Sequence, residues 1–98
     1  MNMQQIMQQA QRMQREISKS KEEIDNTVFT HEMSFVSVEM YGSKKIKSIK
    51  INRESISSDE IADAEDLITV AINECLKKIE SATKEKLGKY GSALDGLM

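Results

Sequence analysis

The chain of 98 residues contains no proline, no tryptophan, one cysteine, one histidine and only four aromatic side chains, Phe29, Phe35, Tyr41 and Tyr90. Each scarcity closes a route. One cysteine forms no intramolecular disulfide, and with no signal peptide or apolar run near twenty residues the expected setting is a reducing cytoplasm. A zinc site needs two or three more N or S ligands than His31 and Cys75 supply, so no metal is expected. These two residues stand in different predicted elements without a third group at a useful spacing, so no catalytic residue, cofactor or small-molecule substrate is expected either. Neither GxxxxGK[ST] nor GxGxxG occurs, and four aromatics do not make a stacking platform for single-stranded bases. The carboxylates Asp59, Glu60, Asp63, Glu65 and Asp66 crowd the start of a predicted helix, where its dipole favours anions, and read as a solvated face.

What the chain does have is periodicity. Met3, Ile6, Ala10, Met13, Ile17 and Ile24 recur at steps of three and four, an a/d seam along one side of a helix from about Asn2 to Ile24, broken at Ser20. Six glutamines between Gln4 and Gln14 keep its outer surface polar and favour helix. The seam lies either on the chain's own sheet or against a second subunit. From Asn26 the period changes to two. Val28 to Met33 forms a first strand, Val36, Val38 and Met40 alternate with polar residues in a second, and Lys45 to Ile51 forms a third. In the third, Lys47, Ile49 and Ile51 are predicted to share one face and Ile46, Ser48 and Lys50 the other. Gly42 suits the first central position of a type II′ turn in Tyr41-Gly42-Ser43-Lys44. No strong turn residue marks the link near Met33 and Ser34. A second helix of about 30 residues begins with a Ser57/Glu60 capping box and continues uninterrupted to Gly88. Its C-terminal half is expected to project from the body. The fold class is α+β with the order α-β-β-β-α, one domain over residues 1–87 and a flexible tail over 88–98 with Gly88, Gly91 and Gly96. So small an interior makes a homodimer the expectation.

Charge is segregated. The formal net charge is -2, yet residues 1–21 carry +3, residues 44–53 carry +5, residues 54–74 carry -7 and residues 75–90 carry +3. Arg12, Arg15 and Lys19 follow one another at helical steps on the first helix, as Lys77 and Lys84 do on the second. Such rows match phosphates, whose neutralisation releases counterions and yields salt-sensitive affinity. The alternative is a solvated surface knitted by i,i+4 pairs such as Arg12 with Glu16 and Lys19 with Glu23. A rival function is a protein-interaction adaptor, with the Met-rich seam receiving partner helices and the cations serving solubility.

Three stretches together resemble the YbaB/EbfC family of bacterial nucleoid-associated proteins. They are the Met/Gln-rich opening Met3 to Gln14, the hairpin Val36-Ser37-Val38-Glu39-Met40-Tyr41-Gly42 with Ile46 to Ile51, and the helix from Glu65 through Ala71-Ile72-Asn73-Glu74 to Lys84-Glu85-Lys86. The resemblance implies a homodimer joined through the sheet region, with helices protruding like tweezers, that binds double-stranded DNA and alters its conformation in the nucleoid. Carried onto this chain, it implies DNA contacts from Arg12, Arg15, Lys19, Lys21, Lys77, Lys78, Lys84 and Lys86. Val36, Val38, Met40, Ile49 and Ile51 become the expected dimer interface. The chain departs from the family pattern at Phe29 to Ser34, where a glycine-rich stretch is usual, and at an ending without proline.

Overall fold

The computed structural model describes residues 2–91. Their order is α1 (Met3–Asp25), β1 (Val28–Met33), β2 (Val36–Tyr41), β3 (Ile46–Ile51), a 3-10 turn (Ser58–Glu60), α2 (Ile61–Leu87) and a second 3-10 turn (Gly88–Tyr90). The α-β-β-β-α order is the one the periodicity dictates. Residues 92–98, most of the expected tail, lie outside the described residues.

Helix α1 begins where the Asn2 side chain accepts the Gln5 N–H at 2.8 Å, satisfying one of the free donors of the first turn. It ends at Asn26, whose N–H donates to the Glu22 carbonyl while Thr27 N–H donates to that of Ile24. The strands form an antiparallel meander in the order β1-β2-β3. Met33 pairs with Val36, so the first hairpin turns through Ser34 and Phe35 alone, with Ser34 held at φ 54°. A two-residue hairpin needs such a left-handed residue, and here serine takes the place that glycine usually fills. That is why no turn signal was visible there.

The second turn differs from the expected type II′ geometry. Tyr41 N–H donates to Lys45 O at 2.9 Å and Lys44 N–H to Tyr41 O at 2.8 Å, closing a three-residue loop in which Lys44, at φ 75°, is the left-handed residue. Gly42 serves another purpose. A Cβ at Gly42 would stand 1.9 Å from the Ile24 carbonyl oxygen, so the absent side chain lets the turn press against the end of α1. Gly42 N–H donates to Thr27 O and Ser43 N–H to Asp25 O, which completes the clasp.

The core is one-sided. Val36, Val38 and Met40 of β2 are fully buried beneath Ala71, Cys75 and Ile79 of α2, with Phe29, Phe35, Leu67, Ile68, Ile72 and Leu76 packed around them. Their partners across the strands share that face. Helix α2 lies over β1 and β2, and it leaves the β3 residues Ile46, Ile49 and Ile51 exposed. A bulge between Glu39 and Met40 places Ile46 opposite Met40, correcting the expected facial division of β3. Ser48 donates to Glu39 at 2.7 Å, and Lys47 approaches the same carboxylate at 4.0 Å. Ile46 therefore joins Ile49 and Ile51 on the side bearing α2.

The described molecule measures 70 × 18 × 15 Å with a radius of gyration of 19.2 Å, against about 13 Å for a compact chain of this length. The excess comes from α1. Its first buried residue is Ile17, and every residue from Met3 to Glu16 is exposed. Replacement of Gly42 by Ala forces a Cβ into backbone that no rotamer change can clear. We expect Gly42→Ala to lower unfolding free energy by about 3 kcal/mol, measured by urea denaturation.

Candidate nucleic-acid interface

The free half of α1 is a cantilever held at its C-terminal end. Ile17 and Ile24 are buried, and with Ile79, Thr83 and Leu87 of α2 they line a groove of about 510 Å³ that also takes in Gly42. The start of α2 is tied through Glu60 and Arg53 to the Phe35 end of the sheet and the end of α1 abuts Gly42 at the opposite end, so α1 and α2 run antiparallel along this groove. Lys86 donates to Glu23 at 2.5 Å across the two helices and holds that carboxyl below its ordinary range, its hydrogen bond being the largest cause. Beyond Leu87 the α1 seam has no cover among the described residues. Met3 is 76% exposed, Ile6 47% and Met13 41%, and Ala10 is exposed as well.

Arg12, Arg15 and Lys19 stand on the side of α1 away from that seam, within about 60° of one another at 100° per residue. Among the described residues none of the three makes an ion pair, and the anticipated partners Glu16 and Glu23 do not take them up. Glu23 goes to Lys86 instead. Lys21 departs from the row: it lies on the seam side and lines the groove, near Lys44 of the β2–β3 turn. Lys44 belongs to the basic 44–53 segment and stands at the groove with a left-handed backbone.

The four α2 lysines are each engaged within the chain. Lys77 pairs with Glu74 at 3.2 Å and Lys84 with Glu80 at 3.3 Å, both with well-exposed side chains. Lys78 donates to Thr30 O at 2.5 Å, tying α2 to β1, and Lys86 holds Glu23. In the C-terminal half of α2, expected to project, Ile79 and Leu87 are buried beside α1. Each row faces outward from its own helix, so one chain does not bring the two rows together as walls of a gap.

The expected dimer interface also divides. Val36, Val38 and Met40 are 0%, 0% and 1% exposed in the single chain because α2 fills their face, so no partner has access to them. Ile49 and Ile51, 42% and 41% exposed, remain available together with Ile46.

The acidic block does not smother the α1 row. Its carboxylates from Glu54 to Asp66 precede or open α2, and Asp63 lies about 36 Å along that helix from Leu87. Arg12 lies beyond Leu87 in the opposite direction. That separation is several times the Debye length of about 8 Å at physiological ionic strength, so net charge is a poor guide to the arm. Among the described residues no group of three His, Cys, Asp or Glu could hold a metal, and no helix is long and apolar enough to cross a membrane. Cys75 is buried against the Phe29 and Val38 carbonyls, and burial pushes its thiol above the ordinary range.

Fold and site together define a small helix–meander–helix protein organised around a cationic arm rather than around a pocket. Over residues 1–94 the sequence matches the family described as the YbaB/EbfC DNA-binding family, which is not an enzyme family. The chain belongs to that family. Relatives named nucleoid-associated protein include one from Lactococcus lactis subsp. cremoris, 40% identical over 96% of this chain and 97% of its own length. Another, from Ligilactobacillus salivarius, is 35% identical over 99% and 95%. A third, from Streptococcus suis, is 33% identical over 96% and 97%.

Glu60 closes the capping box by accepting the Ser57 N–H at 3.2 Å, and it also pairs with Arg53, which stacks over Phe35 at 4.1 Å. The Ser57 backbone first, then Arg53, holds the Glu60 carboxyl below its ordinary value of 4.5. A carboxyl lowered in the folded state stabilises above its unfolded pKa, and that contribution is lost as pH falls through the folded one. The melting temperature should therefore drop on acidification below 4.5, and Glu60→Gln should show a smaller drop than the parent in a thermal series across that window.

Proposed function

We propose that this protein binds double-stranded DNA without catalysis, as a homodimer whose α1 arms supply the phosphate contacts. On this reading it acts in the bacterial cytoplasm at the nucleoid. The observation that carries the reading is the row Arg12, Arg15 and Lys19, set on a projecting helix with no carboxylate of the described residues within 4 Å. Cations already paired must exchange one partner for another on meeting a phosphate, whereas these three release only counterions. Lys77 and Lys84, being in exposed pairs that contribute little, act as secondary contacts. Lys78 and Lys86 serve the fold. Family membership and the names of the relatives support DNA as the partner.

A phosphate-directed row reads no bases, so any sequence preference and any change in DNA conformation arise from duplex shape and deformability. Affinity should fall with salt. Replacing Arg12, Arg15 and Lys19 together by Gln should reduce the slope of log Kobs against log salt by about 2.7 per chain in a mobility-shift titration, since each phosphate contact contributes about 0.9. The Lys77→Gln/Lys84→Gln pair should change it less. An unchanged slope in the triple variant would remove α1 from the interface.

The dimer is assigned to the unpaired edge of β3, where Ile46, Ile49 and Ile51 present apolar side chains beside a free backbone ladder. Since Ile49 and Ile51 are exposed in the single chain, Ile49→Lys/Ile51→Lys should leave the circular dichroism unchanged while light scattering shows the mass halved. The uncovered seam favours a second reading, a protein adaptor. Retention of a defined protein after nuclease treatment, with no DNA bound at low salt, would decide for it.

A further inference from the structure

The arm has a second face that DNA contact does not use. We propose that the exposed seam of Met3, Ile6, Ala10 and Met13 docks antiparallel onto the same seam of another copy, joining separate dimers back to back. The spacing is that of a helix-into-helix seam and continues directly into Ile17 and Ile24, which already pack that way against α2.

Charge selects the occupant. Residues 2–11 carry no ionisable side chain, so two arm tips meet without repulsion and offer no charge by which to recognise an oppositely charged partner. Packing selects the direction. An antiparallel overlap centred near residue 8 places Met3 against Met13 and sets each large Ile6 against a small Ala10, whereas the parallel pair stacks Ile6 on Ile6 and leaves a gap between alanines.

Eleven residues span about 16 Å, and two such faces bury less than about 1,000 Å² in total, so the contact is weak when isolated. It gains strength where dimers are held close together. Because the cation row is on the side of α1 away from the seam, a paired set of arms turns one row to each outer flank. Resting on the DNA reading above, this geometry bridges two duplex segments.

The test separates the two claims. Sedimentation velocity without DNA, over rising concentration, should show the parent exceeding dimer mass, and Ile6→Gln/Met13→Gln, which keeps helix propensity and touches no buried residue, should not. The same variant should bind a short duplex with the parent's salt slope. Yet it should lose at least tenfold in the capture of a free labelled duplex by a bead-bound one. Equal masses for parent and variant at every concentration would overturn the proposal. So would a parent mass that rises only after the chain is cut behind Gly91, which would give the seam to residues 92–98. Assembly without DNA retention would leave arm pairing standing and reject the phosphate reading instead.

Discussion

The approach of the β2–β3 turn to the end of α1 is the constraint on which the architecture depends. Backbone meets backbone there: Gly42 sits so close to the Ile24 carbonyl that no side chain fits, and the Gly42 and Ser43 amides donate back to Thr27 and Asp25. Such contacts set an angle more firmly than side-chain packing does, because rotamer changes do not relieve them. With α1 held at its last turn and again at Ile17 beside Leu87, its direction is determined over two turns. A helix then carries that direction outward for fourteen exposed residues, Met3 to Glu16. An exposed helix of that length would be marginal alone, but it grows from a turn already nucleated and is supported by glutamine-rich propensity.

Element order and the main core were legible because period-two and period-3.6 patterns report burial directly. Val36, Val38 and Met40 alternate as a buried face must, and they are buried. The cover is what differs. Alternation shows that one face is hidden, not what hides it, and α2 rather than a second copy fills the position. The first hairpin was obscure because Ser34 takes a left-handed conformation that serine seldom adopts. Gly42 is ambiguous in sequence for a different reason: glycine is permitted by turn chemistry and by close approach alike, and local sequence cannot distinguish them. The shift of Ile46 to the face of Ile49 follows from a bulge that no strict alternation reveals.

The charged residues show the same boundary. Spacing placed Arg12, Arg15 and Lys19 on one stripe and Lys77 with Lys84 on another, and both stripes are exposed. What spacing could not show is which cations are engaged. The i,i+4 geometry allows Lys19 to meet Glu23, but Lys86 reaches that carboxylate from another helix at 2.5 Å and leaves Lys19 without an ion pair among the described residues. A tertiary contact between distant segments thus determines the electrostatic character of the arm. Lys78 and Lys86 look equivalent to the other lysines in sequence, yet one is bound to a strand carbonyl and one to α1.

Two faces of a single free helix consequently carry different chemistry with little interference between them. The apolar burial proposed for Met3 to Met13 is short-ranged and insensitive to salt, while the phosphate attraction proposed for Arg12 to Lys19 weakens as salt rises. The faces overlap by only two residues along the helix, Arg12 and Met13, and point in nearly opposite directions. Adding salt would strip the row of its partner and leave the seam intact, whereas a polar residue in the seam would spare the row. Because neither face is used to hold the fold together, each is free to meet a partner without unfolding cost. The fold keeps its own interior elsewhere, between α2 and the sheet, and that separation allows the arm to remain exposed on both sides.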